Sequence, residues 1–169
     1  MVHTRRRDRL PSRGVGSAPA EGSSRSSNAA ENPTKRSDCP FCRAVDGLAP
    51  AHIVASDDDT VTLLTNAPAS VGHLLVLPRR HVTELWSASS DEAAALGRAT
   101  AQMARLLRDR LAPDGVTVRQ NNGAASGQRV AHLHVHLVPR WHGDGSIGWP
   151  IPPAEPPDPD EVLARLTAG

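Results

Sequence analysis

From about Asp38 onward, apolar residues recur in short bursts at two different spacings, and the spacing assigns the elements. Ile53 and Val54, then Val61, Leu63 and Leu64, form two β-like runs either side of Ser56, Asp57, Asp58 and Asp59, which predicts a hairpin. Asn66, Ala67 and Pro68 break the chain. His73-Leu74-Leu75-Val76-Leu77 then predicts a third strand, buried on at least one face and closed by Pro78. Leu96, Met103, Leu106, Leu107 and Leu111 recur instead at helical spacing. Ser89-Ser90-Asp91-Glu92 is a capping box ahead of them, so one long helix starts here and ends before Pro113-Asp114-Gly115. Val116-Thr117-Val118 opens a further strand, residues 121–128 form a Gly- and Ala-rich loop, and residues 131–138 predict the last strand. The expected fold class is α+β, an antiparallel sheet of about five strands with one long helix.

Residues 1–37 are dominated by Arg, Ser, Gly, Ala, Pro and Asn, and with so few large apolar groups they cannot repay the entropy of folding. They are expected to form a disordered tail, followed by a catalytic domain over 38–142. Residues 143–169 form a Pro-rich extension, with a short helix expected over 160–166.

A chain of 169 residues suits one domain and one active site. Its formal net charge of +1 gives no global attraction to nucleic acid or membrane, so any affinity for phosphate is local. No apolar run approaches the roughly 20 residues that span a bilayer. Arg5, Arg6 and Arg7 lack the apolar or amphipathic segment that a targeting signal needs. Arg79, Arg80, Arg140 and Trp141 read as a solvated rim, because 2% aromatic content supplies no stacking platform for nucleic acid. The two cysteines stand in Cys39-Pro-Phe-Cys42, a spacing that suits a metal half-site or a redox pair rather than a disulfide framework. A soluble protein of the reducing cytoplasm is expected.

The candidate chemistry lies in His132-Leu133-His134-Val135-His136-Leu137-Val138. Period-two alternation sends Leu133, Val135 and Leu137 into the core and all three imidazoles to the other face. Three aligned histidines are too costly to be a surface accident. They could chelate a metal through His132 and His134. Alternatively, one imidazole is a nucleophile held in the right tautomer by its second nitrogen, with its neighbours handling protons. The preceding loop favours the nucleophile: its glycines let backbone N–H groups approach an anion, and its amides can bond phosphoryl oxygens. A hydrolytic metal site would want a carboxylate base, and none lies between Asp114 and His136.

Residues 127–140, Gly-Gln-Arg-Val-Ala-His-Leu-His-Val-His-Leu-Val-Pro-Arg, closely resemble the signature of the histidine triad superfamily of nucleotide hydrolases and transferases. The resemblance extends back through Asn121-Asn122-Gly123 and Gly72-His73-Leu74-Leu75-Val76-Leu77-Pro78, covering about residues 39 to 140. It implies that the middle histidine, His134, attacks the α-phosphorus to form a nucleotidyl-histidine. His136 then binds phosphoryl oxygens or assists the leaving group, while Asn121 and Gln128 match positions that bind the phosphate region. The implied substrate is an adenosine- or guanosine-phosphate derivative: a phosphoramidate, an acyl adenylate or a dinucleoside polyphosphate. Water resolves the adduct in a hydrolase, and phosphate or a sugar phosphate in a transferase; a non-catalytic nucleotide-binding protein is the alternative. A homodimer that joins two sheets is also implied.

Two positions depart from the family pattern. Thr65 falls where an Asp or Asn commonly contacts ribose, with Asn66 beside it as substitute. Arg129 replaces a Ser or Thr near the leaving group, and its charge favours a longer or more acidic one. Many bacterial relatives hold a structural zinc, which implies that Cys39, Cys42, His81 and His132 form a closed tetrahedral site that never touches substrate. His73 is expected either in a polar network behind the triplet or as a plain strand-end residue. His3, His52 and His142 have no comparable context.

Overall fold

The computed structural model describes residues 37–145 and 152–168. The expected tail, apart from Ser37, and the segment containing Trp149 lie outside them.

The first hairpin joins β1 (Ile53–Ser56) to β2 (Thr60–Leu64). Its turn is fixed by Asp57, whose Oδ1 accepts from the backbone N–H of Asp59 and Thr60 at 2.9 and 2.6 Å and from the Thr60 hydroxyl at 3.0 Å. The acidic run is thus a turn device. With β3 (Leu74–Pro78), β4 (Gly115–Gln120) and β5 (Val135–Arg140) it builds an antiparallel sheet of order β1-β2-β3-β5-β4. At the entry to β3, Gly72 has φ +77° and a Cβ there would overlap the Leu111 side chain, so only glycine fits.

The helices are α1 (Pro40–Val45), α2 (Ser90–Leu111) and α3 (Pro159–Thr167). The expected capping box is present, with Glu92 N–H donating to Ser89 Oγ at 3.2 Å and Ser89 N–H to Glu92 Oε2 at 2.8 Å. One stripe of α2, carrying Leu96, Ala99, Met103, Leu107 and Leu111, buries itself on Leu74, Val76, Val135 and Leu137 of the sheet. Leu106 is only half-buried at the margin. Val162 and Leu166 of α3 join the same cluster, so the C-terminal helix completes this core. On the other face Val61, Leu63, Leu75 and Leu77 meet Phe41, Ala44 and Val45 of α1.

The last strand is shorter than its alternation predicts. It starts at Val135, because backbone groups ahead of it are engaged elsewhere: His132 N–H bonds Val130 O at 2.8 Å and Leu133 N–H bonds Val82 O at 2.5 Å. Pro78, which ends β3 opposite Thr60, has no N–H to offer, and its carbonyl takes the His132 ring at 3.0 Å. His132 and His134 therefore sit on the approach to β5, with only His136 inside it.

Candidate active site and metal site

Cys39 caps α1 with Pro40 at its first position, and its sulfur accepts from the Cys42 N–H at 3.5 Å. This turn aims both sulfurs at the start of the histidine segment. Cys39 Sγ and Cys42 Sγ lie 3.5 Å from His132 Nδ1, and Cys42 Sγ lies 3.3 Å from His81 Nδ1. Tetrahedral zinc bonds of about 2.3 Å to sulfur and about 2.0 Å to nitrogen require S···N edges of about 3.5 Å. The separations match. All four donor atoms lie within 4.8 Å of one another, and both cysteines and His132 are fully buried. His132 Nε2–H donates to Pro78 O at 3.0 Å, which turns the lone pair on Nδ1 toward the cluster. The expected tetrad is thus brought together as a Cys2His2 metal site fit for zinc.

His134 is 6% exposed and uses the opposite nitrogen. Its Nδ1 lies 2.6 Å from the His132 carbonyl. A carbonyl only accepts, so the proton is on Nδ1 and the lone pair on Nε2. Burial lowers the pKa of the ring, against the opposing pull of that carbonyl. The result is a neutral imidazole with its lone pair fixed on Nε2.

A second chain of bonds orients His136. Ala69 N–H donates to His73 Nδ1 at 3.1 Å, so His73 carries its proton on Nε2. That nitrogen lies 3.0 Å from His136 Nδ1, which must accept, leaving the His136 proton on Nε2. His136 is therefore a hydrogen-bond donor on the face it shares with His134, the two ring centroids being 4.9 Å apart. Burial, then the charge of its histidine partners, pushes His73 down to about 3. Burial, then His134 and Arg119, pushes His136 down to about 4. His73 thus belongs to the polar network behind the triplet.

The loop of residues 121–128 is braced internally. Gln128 Oε1 accepts from Gly123 N–H at 2.6 Å and its Nε2 donates to Thr83 O at 2.7 Å. Asn122 Oδ1 accepts from Leu85 N–H at 2.7 Å. Gly123 and Gly127 have φ of +75° and +88°, which lets the loop close on itself, with the N–H groups of Ser126, Gly127 and Gln128 bonded to the carbonyls of Gly123 and Ala124. Asn121 stands at the loop start with its Oδ1 on Arg119 Nε at 2.9 Å. Thr65 Oγ1 accepts from Ala67 N–H at 3.3 Å, and Asn66 beside it is exposed. Arg129 is exposed after the loop. Trp141, expected in a solvated rim, packs instead on the α2-side core. The C-terminal residues Pro157, Pro159 and Val162 are the ones that line a pocket with Thr65 and His73.

The family model of the HIT domain matches residues 47–143. The chain belongs to the HIT family. Among HIT proteins of known structure, it is similar to a zinc-bound histidine triad family protein from Mycobacterium smegmatis, at TM-score 0.71 and 32% identity over 79% of this chain and 94% of that one. It is 31% identical to an adenosine 5'-monophosphoramidase of Schizosaccharomyces pombe, over 75% of this chain and 91% of that protein. An adenylylsulfatase of Arabidopsis thaliana is 31% identical over 68% of this chain and 58% of its own.

Sequence reading missed Phe41, whose ring meets His132 and His134 edge-on at centroid distances of 5.9 and 5.2 Å. The signal was available: it is the sole phenylalanine of the HIT chain and stands between the two cysteines. His52, which carries no site role, pairs with Asp160 at 3.3 Å and ties α3 to the segment before β1.

Proposed function

We propose that the chain is a nucleotide hydrolase that works through a covalent nucleotidyl-histidine on His134. The observation that carries this reading is the 2.6 Å bond from His134 Nδ1 to the His132 carbonyl, which puts the proton on Nδ1 and leaves the lone pair on Nε2. In the first step Nε2 bonds to the α-phosphorus while the bond to the leaving group breaks and its electron pair departs with that group. In the second step water adds its oxygen to phosphorus and gives one proton to solvent. The phosphorus–nitrogen bond breaks, and the pair returns to Nε2. His136 Nε2–H donates to a phosphoryl oxygen and the Asn121 amide holds the phosphate region, while Gln128, bonded to Gly123 N–H and Thr83 O, keeps the loop beside it in shape. Thr65 and Asn66 border the ribose.

In the same reading zinc is structural. It cross-links the N-terminal turn to the segment carrying His134, and its four donors leave no position for substrate. A reducing compartment such as the cytoplasm keeps both thiols available as ligands. A homodimer is supported by β4, a sheet edge on which Val118 is 53% exposed.

Mixing the protein with an adenosine phosphoramidate and with adenosine 5'-phosphosulfate, quenching, and mapping the adduct by mass spectrometry tests the mechanism. A nucleotidyl group on the peptide bearing His134 is expected, and competing phosphate or sugar phosphate in the same reaction separates hydrolysis from transfer. Turnover with the adduct on another residue, or with none under single-turnover conditions, rules the mechanism out.

A further inference from the structure

Strand register places one more charged side chain on the reacting face. Arg119 of β4 lies opposite His136 of β5, and opposite residues of an antiparallel pair project to the same side of the sheet. The Arg119 Nε donates to Asn121 Oδ1 at 2.9 Å. Its Nη2 lies 3.8 Å from the point a Cβ on Gly127 would occupy, with Asn121 Nδ2 3.6 Å from the same point. The guanidinium therefore reaches from the His136 strand to the last glycine of the loop, where the missing side chain keeps the approach open. Arg129 follows the other end of that loop, and the chain holds no carboxylate between Asp114 and Asp144.

We propose that Arg119 is a specificity-determining residue that binds the leaving group and selects nucleotides that lose an oxyanion, such as sulfate or phosphate, over those that lose an amine. The proposal rests on the nucleotidyl-histidine reading above. As the Nε2–phosphorus bond forms and the phosphorus–oxygen bond breaks, the electron pair goes to the leaving oxygen, which departs as an anion and needs no proton. A fixed guanidinium stabilises that developing charge with paired donors. An amine leaving group develops no such charge, and the guanidinium has nothing to offer it. His136 is consistent with this division, since a ring held neutral donates a hydrogen bond rather than a proton.

The test is the ratio of kcat/KM for adenosine 5'-phosphosulfate to that for adenosine 5'-phosphoramidate, measured for wild type, Arg119→Gln and Arg119→Lys. The ratio is expected to fall about tenfold or more in Arg119→Gln and to recover partly in Arg119→Lys, which keeps the charge but loses the fork. An unchanged ratio, or equal losses on both substrates, overturns the proposal. If wild type turns over neither compound, the catalytic reading fails, and equilibrium binding of ADP and AMP still judges Arg119. A preference for ADP that vanishes in Arg119→Gln supports the anion site, whereas a preference that is absent or unaltered overturns it.

Discussion

His132 and His134 are two residues apart, both buried and both edge-on to Phe41, yet they present opposite nitrogens to their surroundings. His132 gives its Nε2 proton to Pro78 O and turns Nδ1 to the two sulfurs. His134 gives its Nδ1 proton to His132 O and keeps its lone pair on Nε2. Identical side chains thus offer opposite nitrogens, one to the metal cluster and one, in the proposed mechanism, to phosphorus, through nothing more than which backbone carbonyl lies within reach. Tautomer control by a fixed acceptor replaces the carboxylate that a hydrolytic site would otherwise need to orient its base.

Exchanging each ring for alanine separates the two roles, and this is the largest effect expected. His134→Ala should lower turnover by about 10³-fold or more while metal content and melting temperature stay close to wild type. His132→Ala should lose the metal, with a fall in melting temperature of about 10 °C or more. Metal analysis beside thermal melts and steady-state rates reads both. If His134→Ala loses its metal, or His132→Ala keeps a full complement, the division of labour is wrong.

Much of this division could be read from residue types and spacing. Period-two alternation gave the core residues Leu133, Val135 and Leu137, and Ser89 with Glu92 located the start of α2. The four metal donors and His134 were reached through resemblance to the family. Tautomers could not be read, because they depend on where Pro78 O and His132 O come to rest after folding. Arg119 was equally hidden: its meaning lies in facing His136 across a strand pair, and pairing register is a tertiary property. The start of β5 was misplaced because alternation persists through residues 132–134 while their backbone bonds leave the ladder. The six residues of α1 are too few to show a period, although Pro40 after a capping residue marks such a start.

The comparison sharpens further at His136, whose tautomer depends on a side chain instead of a carbonyl. His73→Ala removes the donor to His136 Nδ1 and should reduce kcat about tenfold, with partial rescue in His73→Gln, whose amide N–H can donate. The ring titrations supply the pH dependence. Both folded pKa values, about 3 for His73 and about 4 for His136, lie below the ordinary 6.5. Below about pH 6.5 the unfolded chain therefore takes up protons that the folded chain refuses. The stability these rings contribute is present above that pH and is lost as pH falls toward 4. NMR titration should find His136 still neutral at about pH 5; a ring that titrates near 6.5 contradicts the buried network.

The smallest expected effect lies where the two histidine roles meet. The edge-on contact of Phe41 with His134 belongs to the same short turn that carries Cys39 and Cys42, so the metal site and His134 share one wall. Phe41→Leu keeps both sulfurs and the helix cap but loses an aromatic contact of about 1 kcal/mol. That corresponds to roughly a fivefold fall in kcat if the ring holds His134 in its reactive orientation. Metal content should stay at the wild-type level. Loss of metal in this variant would assign Phe41 to the metal corner alone, whereas a slower enzyme with its metal in place shows that the turn also positions the nucleophile.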